Sequence, residues 1–332
     1  MSDVQDAGGR AEEAIRAFML RQGYFAARGV RLTFDRDEAT DIDIWAYGPG
    51  SPTHRERVVV DSKWKVKHAH GFERLVWLEG LRRIALADHA ILATTDSRES
   101  IRVAAARMNV RVIGPEMFDE LVKRSPAAHR LSEEEFLATV VPPEDKLLGR
   151  IREVYQASKG RLLKMDWDSV NAHMEDVVHY VEDTARRPDP SASLRLIYMS
   201  VAFSLINLDF ILRDAAFMDE KWVFQRIDEG FRFGSRGRNA VLSLFETVGK
   251  KKRAEALRAV EQVRADIPAE FFTRRATTPF LFDVARVLEQ AAYAKSVVAV
   301  PELPTEAQSV IGVVLDFLGV DRRLIFGIKV GP

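Results

Sequence analysis

The first 125 residues alternate between helical and extended patterns of apolar side chains. Apolar residues recur at helical spacing over Ala11–Gln22, and Gly23 ends that helix. Alternating and β-branched runs then predict three strands, Tyr24–Phe34 with a kink at Gly29, Asp41–Tyr47 and Val58–Val66. The stretch Gly48–Arg57 contains two prolines and two glycines, and it is predicted to be a loop.

The same alternation continues to the end of this part of the chain. It predicts a helix over Gly71–Leu86, a strand over His89–Thr94, a helix over Arg98–Met108, a strand over Val110–Ile113 and a helix from Pro115 to Lys123. Proline is well accepted in a first helical turn, which places the start of the last helix. The order of elements predicts an α/β domain with a mixed sheet flanked by helices.

After about Ser125 the patterns are helical throughout. They predict helices over Lys146–Ser158, Ser169–Asp183, Ala192–Phe217, Arg238–Gly249, Arg253–Asp266 and Pro279–Ala294. Two boundary or hinge points are predicted, Ser125–Pro126 and Val141–Pro143, because proline restricts the residue before it to extended backbone. The sequence therefore predicts an α/β domain over residues 1–125 and an all-α domain over residues 126–332.

Composition narrows the functional classes. The chain has 332 residues, of which 47% are apolar and 30% charged, as in ordinary globular proteins. Its 49 basic and 49 acidic side chains leave no net charge, which argues against a uniformly basic protein that coats nucleic acid. Without cysteine it has no disulfide, thiolate metal site or cysteine nucleophile.

The most apolar stretch, Leu196–Leu212, includes Asn207 and Asp209. It is shorter than the roughly 20 apolar residues that a membrane span needs, so a buried helix is predicted. The first ten residues are polar and have no signal-peptide core. We expect a cytoplasmic protein without a membrane partner.

Acidic and basic side chains meet on two of the predicted strands. Asp61 and Lys63 are two residues apart, so they emerge on one face of their strand. If the preceding strand is its antiparallel neighbour, Asp43 approaches Asp61. Two close carboxylates repel unless a proton or cation lies between them, and Mg²⁺ prefers carboxylate and carbonyl oxygens. The backbone carbonyl of Ser62 is a convenient third oxygen, and Lys63 could activate water or stabilise charge on a phosphate.

These residues resemble the motif of the PD-(D/E)XK, or restriction-endonuclease-like, nuclease superfamily. The matching segments are Gly8–Glu12, Thr40–Ile44 and Val59–Lys63. Together with the elements that follow, the resemblance covers about residues 8 to 124. The core is similar to that of the branch with Mrr-type restriction enzymes and archaeal Holliday-junction resolvases. In this family the αβββαβ core carries a helix glutamate, a strand aspartate and an Asp/Glu-x-Lys triplet.

The resemblance implies an endonuclease that hydrolyses DNA phosphodiester bonds with Mg²⁺, for which Mn²⁺ can substitute. Asp43 and Asp61 would bind the metal ion, Glu12 would bind it directly or through water, and Lys63 would activate water or stabilise charge. The position of Gly23–Tyr24 favours Glu12 over Glu13. The family often has glutamate where this chain has Asp61. Asp41 remains an alternative to Asp43.

Basic residues flank the predicted site in the sequence. They are Arg55, Arg57, Lys65, Lys67 and His68. We expect them to contact DNA phosphates, which position a backbone without reading bases. The alternative is the ordinary solvated end of a strand.

Two other functions remain open at this level. The nuclease fold could bind nucleic acid or a protein partner without cleaving, or the Asp/Lys set could be a surface ion-pair network in a regulatory or assembly protein. The helical domain is expected to serve substrate choice, dimerisation or protein binding. Because one active site cuts one strand, a homodimer is the expected assembly of a nuclease that cuts both. Restriction, phage defence and DNA repair are the plausible settings.

Overall fold

The computed structural model divides the chain into two compact units, Met1–Leu137 and Ala138–Pro332. It describes residues 2–34, 37–51, 54–63, 71–124, 130–142, 150–187, 189–247, 250–276 and 279–328. The predicted boundary at Ser125–Pro126 lies outside these ranges, and the division falls later, within a helix, Glu133–Val140. The first turn of this helix belongs to the first unit, where Glu133 lies 3.6 Å from Arg16.

The first unit has the predicted order of helices and strands as far as Lys123, and one further helix, Glu133–Val140, was not predicted. Its elements are α1 (Ser2–Arg21), β1 (Phe25–Phe34), β2 (Asp37–Ser51), β3 (His54–Lys63), α2 (Gly71–Ile84), β4 (His89–Thr94), α3 (Glu99–Arg107), β5 (Val110–Ile113), α4 (Pro115–Lys123) and α5 (Glu133–Val140). The prediction of an α/β fold with a mixed sheet and flanking helices is confirmed.

The five strands form one sheet in the order β1-β2-β3-β4-β5. β1, β2 and β3 are antiparallel neighbours, whereas β4 and β5 continue the sheet in parallel, each after a helical crossover. In this register Val60 of β3 lies between Ile44 of β2 and Ile91 of β4. β3 is therefore the central strand, with an antiparallel partner on one side and a parallel partner on the other.

One face of the sheet is the apolar core of this unit. Ile44 and Val60 pack there with Ala11 and Ile15 of α1 and Phe118 of α4, all at most 1% exposed. Because side chains alternate along a strand, the residues next to Ile44 and Val60 point to the opposite face. Asp43, next to Ile44, and Asp61, next to Val60, therefore lie on the face of the sheet opposite this core.

The loop predicted over Gly48–Arg57 was wrong, because β2 continues to Ser51 and β3 begins at His54. Gly48 pairs with Glu56 in this extension. A Cβ on Gly48 would lie 2.8 Å from the ring of Tyr24, whose hydroxyl donates to Glu56 at 2.8 Å. The glycine therefore permits close packing of an aromatic ring, and the sequence pattern alone does not distinguish that role from a turn.

The described part of the second unit is mainly helical, as predicted. Its helices are α6 (Ile151–Gly160), α7 (Trp167–Thr184), α8 (Ser191–Ile211), α9 (Glu220–Phe233), α10 (Gly237–Glu246), α11 (Lys250–Gln262), α12 (Asp266–Thr273), α13 (Phe280–Ala292), α14 (Thr305–Phe317) and α15 (Arg323–Phe326). α8 ends at Ile211, so the predicted helix Ala192–Phe217 was too long. Among the described residues, α8 is the one helix with the length and hydropathy of a membrane span, and 89% of its apolar window is buried within the protein. This burial is typical of the core helix of a soluble protein.

Candidate active site

The candidate site lies where β2 and β3 stop pairing. The pairing of the two strands ends at Ile44 opposite Val60. Beyond this point the backbone N–H of Ser62 donates to Oδ2 of Asp43 at 2.7 Å. The Asp43 carboxylate therefore takes the place of a strand partner for Ser62, and this hydrogen bond holds it beside β3.

Three oxygen atoms surround the ammonium group of Lys63. Its Nζ lies 3.0 Å from Oδ1 of Asp61, 3.3 Å from Oδ2 of Asp43 and 3.2 Å from the carbonyl oxygen of Ser62. These oxygens belong to the three residues that the strand pattern placed together. The arrangement binds one positive charge with two carboxylates and a backbone carbonyl, and the same types of oxygen are preferred by hard divalent cations.

A second cation contacts Asp61 from α2. Both Nε and Nη2 of Arg74 donate to the Asp61 carboxylate, Nε at 3.1 Å from Oδ2. The guanidinium carbon of Arg74 lies 4.2 Å from the ring centroid of Trp77. Sequence reasoning missed Arg74. Two features of the sequence could have indicated it. The predicted carboxylate pair needs more positive charge than Lys63 supplies, and α2, which carries Arg74, is the next element after β3.

Burial raises the pKa of Asp43 from its usual 3.8 to about 6. The positive charge of Lys63 and the N–H of Ser62 lower this pKa, whereas the negative charges of Asp61 and Glu12 raise it. The net upward shift means that the ionised carboxylate is less stable here than in water. An additional cation would stabilise it, so the electrostatics favour cation binding.

Glu12 is held beside the site by an arginine of β1. Oε2 of Glu12 lies 2.7 Å from Nε of Arg28, and Nη1 of Arg28 lies 2.7 Å from Glu134 of α5. Burial alone would lower the pKa of Arg28, but the neighbouring carboxylates raise it above its usual value. Glu12 acts on Asp43 through its charge, and in this geometry its carboxylate is bound to Arg28. The sequence pattern did not identify Arg28 or Glu134.

Asp41 and Asp43 have different surroundings, although both lie on β2. The Asp41 side chain is 55% exposed and lies 3.8 Å from Arg31. The Asp43 side chain is 18% exposed and contacts Lys63. The structure therefore brings Asp43, and not Asp41, to Asp61.

The oxygen atoms that could bind a cation near Lys63 come from few residues. Within the described ranges, no three His, Asp or Glu side chains lie close enough together to hold a metal ion. The candidate ligands around Lys63 are thus the carboxylates of Asp43 and Asp61 and the carbonyl of Ser62, while Glu12 remains outside this set.

The predicted phosphate contacts divide into two groups. Arg55 and Arg57 lie near the start of β3, and Arg57 is about 20 Å from Lys63 at the usual rise per strand residue. Arg55 is 8% exposed, and Nε of Arg57 lies 3.4 Å from Asp88. The structure does not bring these two arginines to the carboxylate pair, because they belong to the opposite end of the strand. The predicted contacts Lys65, Lys67 and His68 lie outside the described residues.

No protein-family model, curated protein or solved structure matches this chain. The resemblance to the nuclease superfamily therefore has no support from these comparisons and depends on the residues of the motif alone.

Proposed function

We propose that the first unit is a PD-(D/E)XK-type nuclease that hydrolyses DNA phosphodiester bonds with a divalent cation. The observation that carries the proposal is the convergence of Asp43, Asp61 and the Ser62 carbonyl on the ammonium group of Lys63. The order of helices and strands supports the same assignment, since the acidic residues lie on the second and third strands of an αβββαβ series. A strand carboxylate pair next to a lysine suits chemistry at a phosphate group.

The residues fit a bound Mg²⁺ or Mn²⁺. Asp43, Asp61 and the Ser62 carbonyl would hold the ion, with Glu12 as a further carboxylate nearby. The raised pKa of Asp43 supports this fit, because burial and the negative charges of Asp61 and Glu12 destabilise the ionised carboxylate, which a bound cation would stabilise. When bound, the ion supplies Lewis-acid activation of the phosphate and makes water a stronger nucleophile at neutral pH.

The chain's own residues then have distinct roles. Lys63 lies on the same face as both carboxylates, so its ammonium can donate to a non-bridging phosphate oxygen or orient the attacking water. The N–H of Ser62 keeps Asp43 oriented. Arg28 keeps Glu12 in place and compensates its charge. The helical unit would serve substrate choice, dimerisation or binding of a protein partner.

The test is cleavage of supercoiled plasmid DNA by the full chain with Mg²⁺ or Mn²⁺. Asp61→Asn and Lys63→Met should each lower the cleavage rate by about a hundredfold or more, as removal of a charge-stabilising group does in other enzymes. Asp88→Asn is the matched control, because Asp88 contacts Arg57 at the far end of β3. Equal cleavage by the wild type and both site variants would contradict the mechanism.

A nuclease-fold module that binds DNA without cleaving it is the second candidate. The pairing of Asp61 with both Lys63 and Arg74 favours it, because these two cations already compensate the carboxylates. DNA binding that needs no divalent cation, by a wild-type protein that cleaves neither DNA nor RNA, would support this candidate over the first.

A further inference from the structure

Arg74 lies between Asp61 and solvent. The side chain of Asp61 is 2% exposed, whereas that of Arg74 is 31% exposed. Two nitrogen atoms of the guanidinium contact Asp61, and its carbon lies 4.2 Å from the ring centroid of Trp77. Arg74 therefore covers a carboxylate that the proposed function assigns to cation binding, while part of the guanidinium remains accessible.

The charges at the site show why the ion pair between Arg74 and Asp61 depends on the absence of a divalent cation. Asp43 and Asp61 carry two negative charges, and Lys63 and Arg74 supply two positive charges in contact with them. A divalent cation on the same carboxylates adds positive charge that repels the guanidinium. Arginine stays protonated in proteins, so Arg74 cannot relieve this repulsion by losing a proton. It has to exchange Asp61 for another anion.

A phosphate group is the anion that this site would supply. The planar guanidinium offers two parallel donors that match a pair of phosphate oxygens as well as a carboxylate. Contact with the Trp77 ring favours a guanidinium that stays near the surface of α2 when it leaves Asp61.

We propose that Arg74 binds Asp61 in the metal-free protein and binds a DNA phosphate once a divalent cation occupies the carboxylates. This inference rests on the proposed function and names the residue that couples cation binding to substrate binding. Arg74 competes with the cation for Asp61, and it contributes to DNA affinity after the exchange.

If Arg74 exchanges Asp61 for a phosphate, its removal should change the affinities for the cation and for DNA in opposite directions. Without Arg74 the cation has no competing guanidinium, so its affinity rises, whereas DNA loses a phosphate contact. A residue that only held Asp61 in place would behave differently, because its removal would weaken the binding of both ligands.

The experiment measures two dissociation constants for the full chain. Free Mn²⁺ is followed by electron paramagnetic resonance, and a short labelled DNA duplex is titrated in Ca²⁺. Arg74→Met should bind Mn²⁺ about tenfold more tightly and DNA about tenfold more weakly than the wild type, each a change of about 1.4 kcal/mol. Arg83→Met is the control, since it removes the same charge from α2. The side chain of Arg83 is 75% exposed, and it pairs with Glu79 instead of Asp61.

Arg74→Lys is the second variant. It keeps the charge but loses the two-donor geometry, so we expect tighter Mn²⁺ binding with a smaller loss of DNA affinity. Thermal unfolding identifies any variant that does not fold. If the wild type binds Mn²⁺ and the folded variants bind it equally or more weakly, the role of Arg74 is overturned and the proposed function stands. If the wild type binds no Mn²⁺, the metal site of the proposed function fails as well.

Discussion

Arg28 of β1 donates to Glu12 of α1 with Nε and Oε2 2.7 Å apart, and this contact fixes the helix carboxylate against the sheet. Arg28 is 8% exposed. Nη1 of the same guanidinium lies 2.7 Å from Glu134, so one buried cation joins a residue of the proposed site to α5.

Replacing Arg28 should destabilise the first unit. Arg28→Met leaves Glu12 and Glu134 without this partner, and loss of one member of a buried ion pair costs about 3 kcal/mol. Urea unfolding of the full chain measures the change. Glu134→Gln is the control, because its side chain is 63% exposed and the pair of Arg28 with Glu12 remains. We expect it to cost less than about 1 kcal/mol, and equal losses in the two variants would contradict this account of the cluster.

The raised pKa of Asp43 predicts how pH affects the metal-free protein. Because the pKa of Asp43 rises from 3.8 to about 6 on folding, the folded state binds the proton of this carboxyl group more tightly than the unfolded chain does. The stabilisation from this proton is therefore complete below about pH 4 and is lost as pH rises through about 6. Relative to Asp43→Asn, the wild type should lose up to about 3 kcal/mol across this window, at about 1.4 kcal/mol per pKa unit.

Urea unfolding in a chelator at several pH values tests this prediction. Asp41→Asn is the matched control on the same strand, because the Asp41 side chain is 55% exposed and lies 3.8 Å from Arg31, whereas Lys63 pairs with Asp43. The control should follow the wild type. A difference between the wild type and Asp43→Asn that does not change with pH would argue against the raised pKa.

His173 predicts an acid sensitivity of the helical unit. Burial lowers its pKa below the usual 6.5, and its Nδ1 lies 3.0 Å from Oγ of Ser158. The imidazole of His173 therefore binds a proton more readily in the unfolded chain than in the folded protein. The stability that neutral His173 contributes is present above about pH 6.5 and is lost as the pH falls below that value. His173→Gln should flatten this part of the stability profile, measured by the helical circular dichroism signal during unfolding. An unchanged slope would show that His173 does not cause it.

Strand alternation was sufficient to predict that Asp43, Asp61 and Lys63 lie close together. Because Asp61 and Lys63 are two residues apart on β3, and β2 is the antiparallel neighbour, the pattern placed both near Asp43. Arg74 was not predicted, because its contact with Asp61 depends on how α2 packs after β3.

Longer strands explain the main differences from the predicted layout. Since β3 begins at His54, Arg55 and Arg57 are separated from the carboxylates by most of the strand. The glycine and proline signals that suggested a loop there do not report the packing of Tyr24 on Gly48. Tertiary contacts of this kind have no periodic pattern in the sequence.

The central claim is that the oxygens around Lys63 form a divalent-cation site. Its most direct test is equilibrium Mn²⁺ binding to the wild type, Asp43→Asn, Asp61→Asn and the Asp41→Asn control. We predict saturable binding by the wild type and the control, and at least about tenfold weaker binding by the other two variants. Equal Mn²⁺ affinity in all four proteins would contradict the claim.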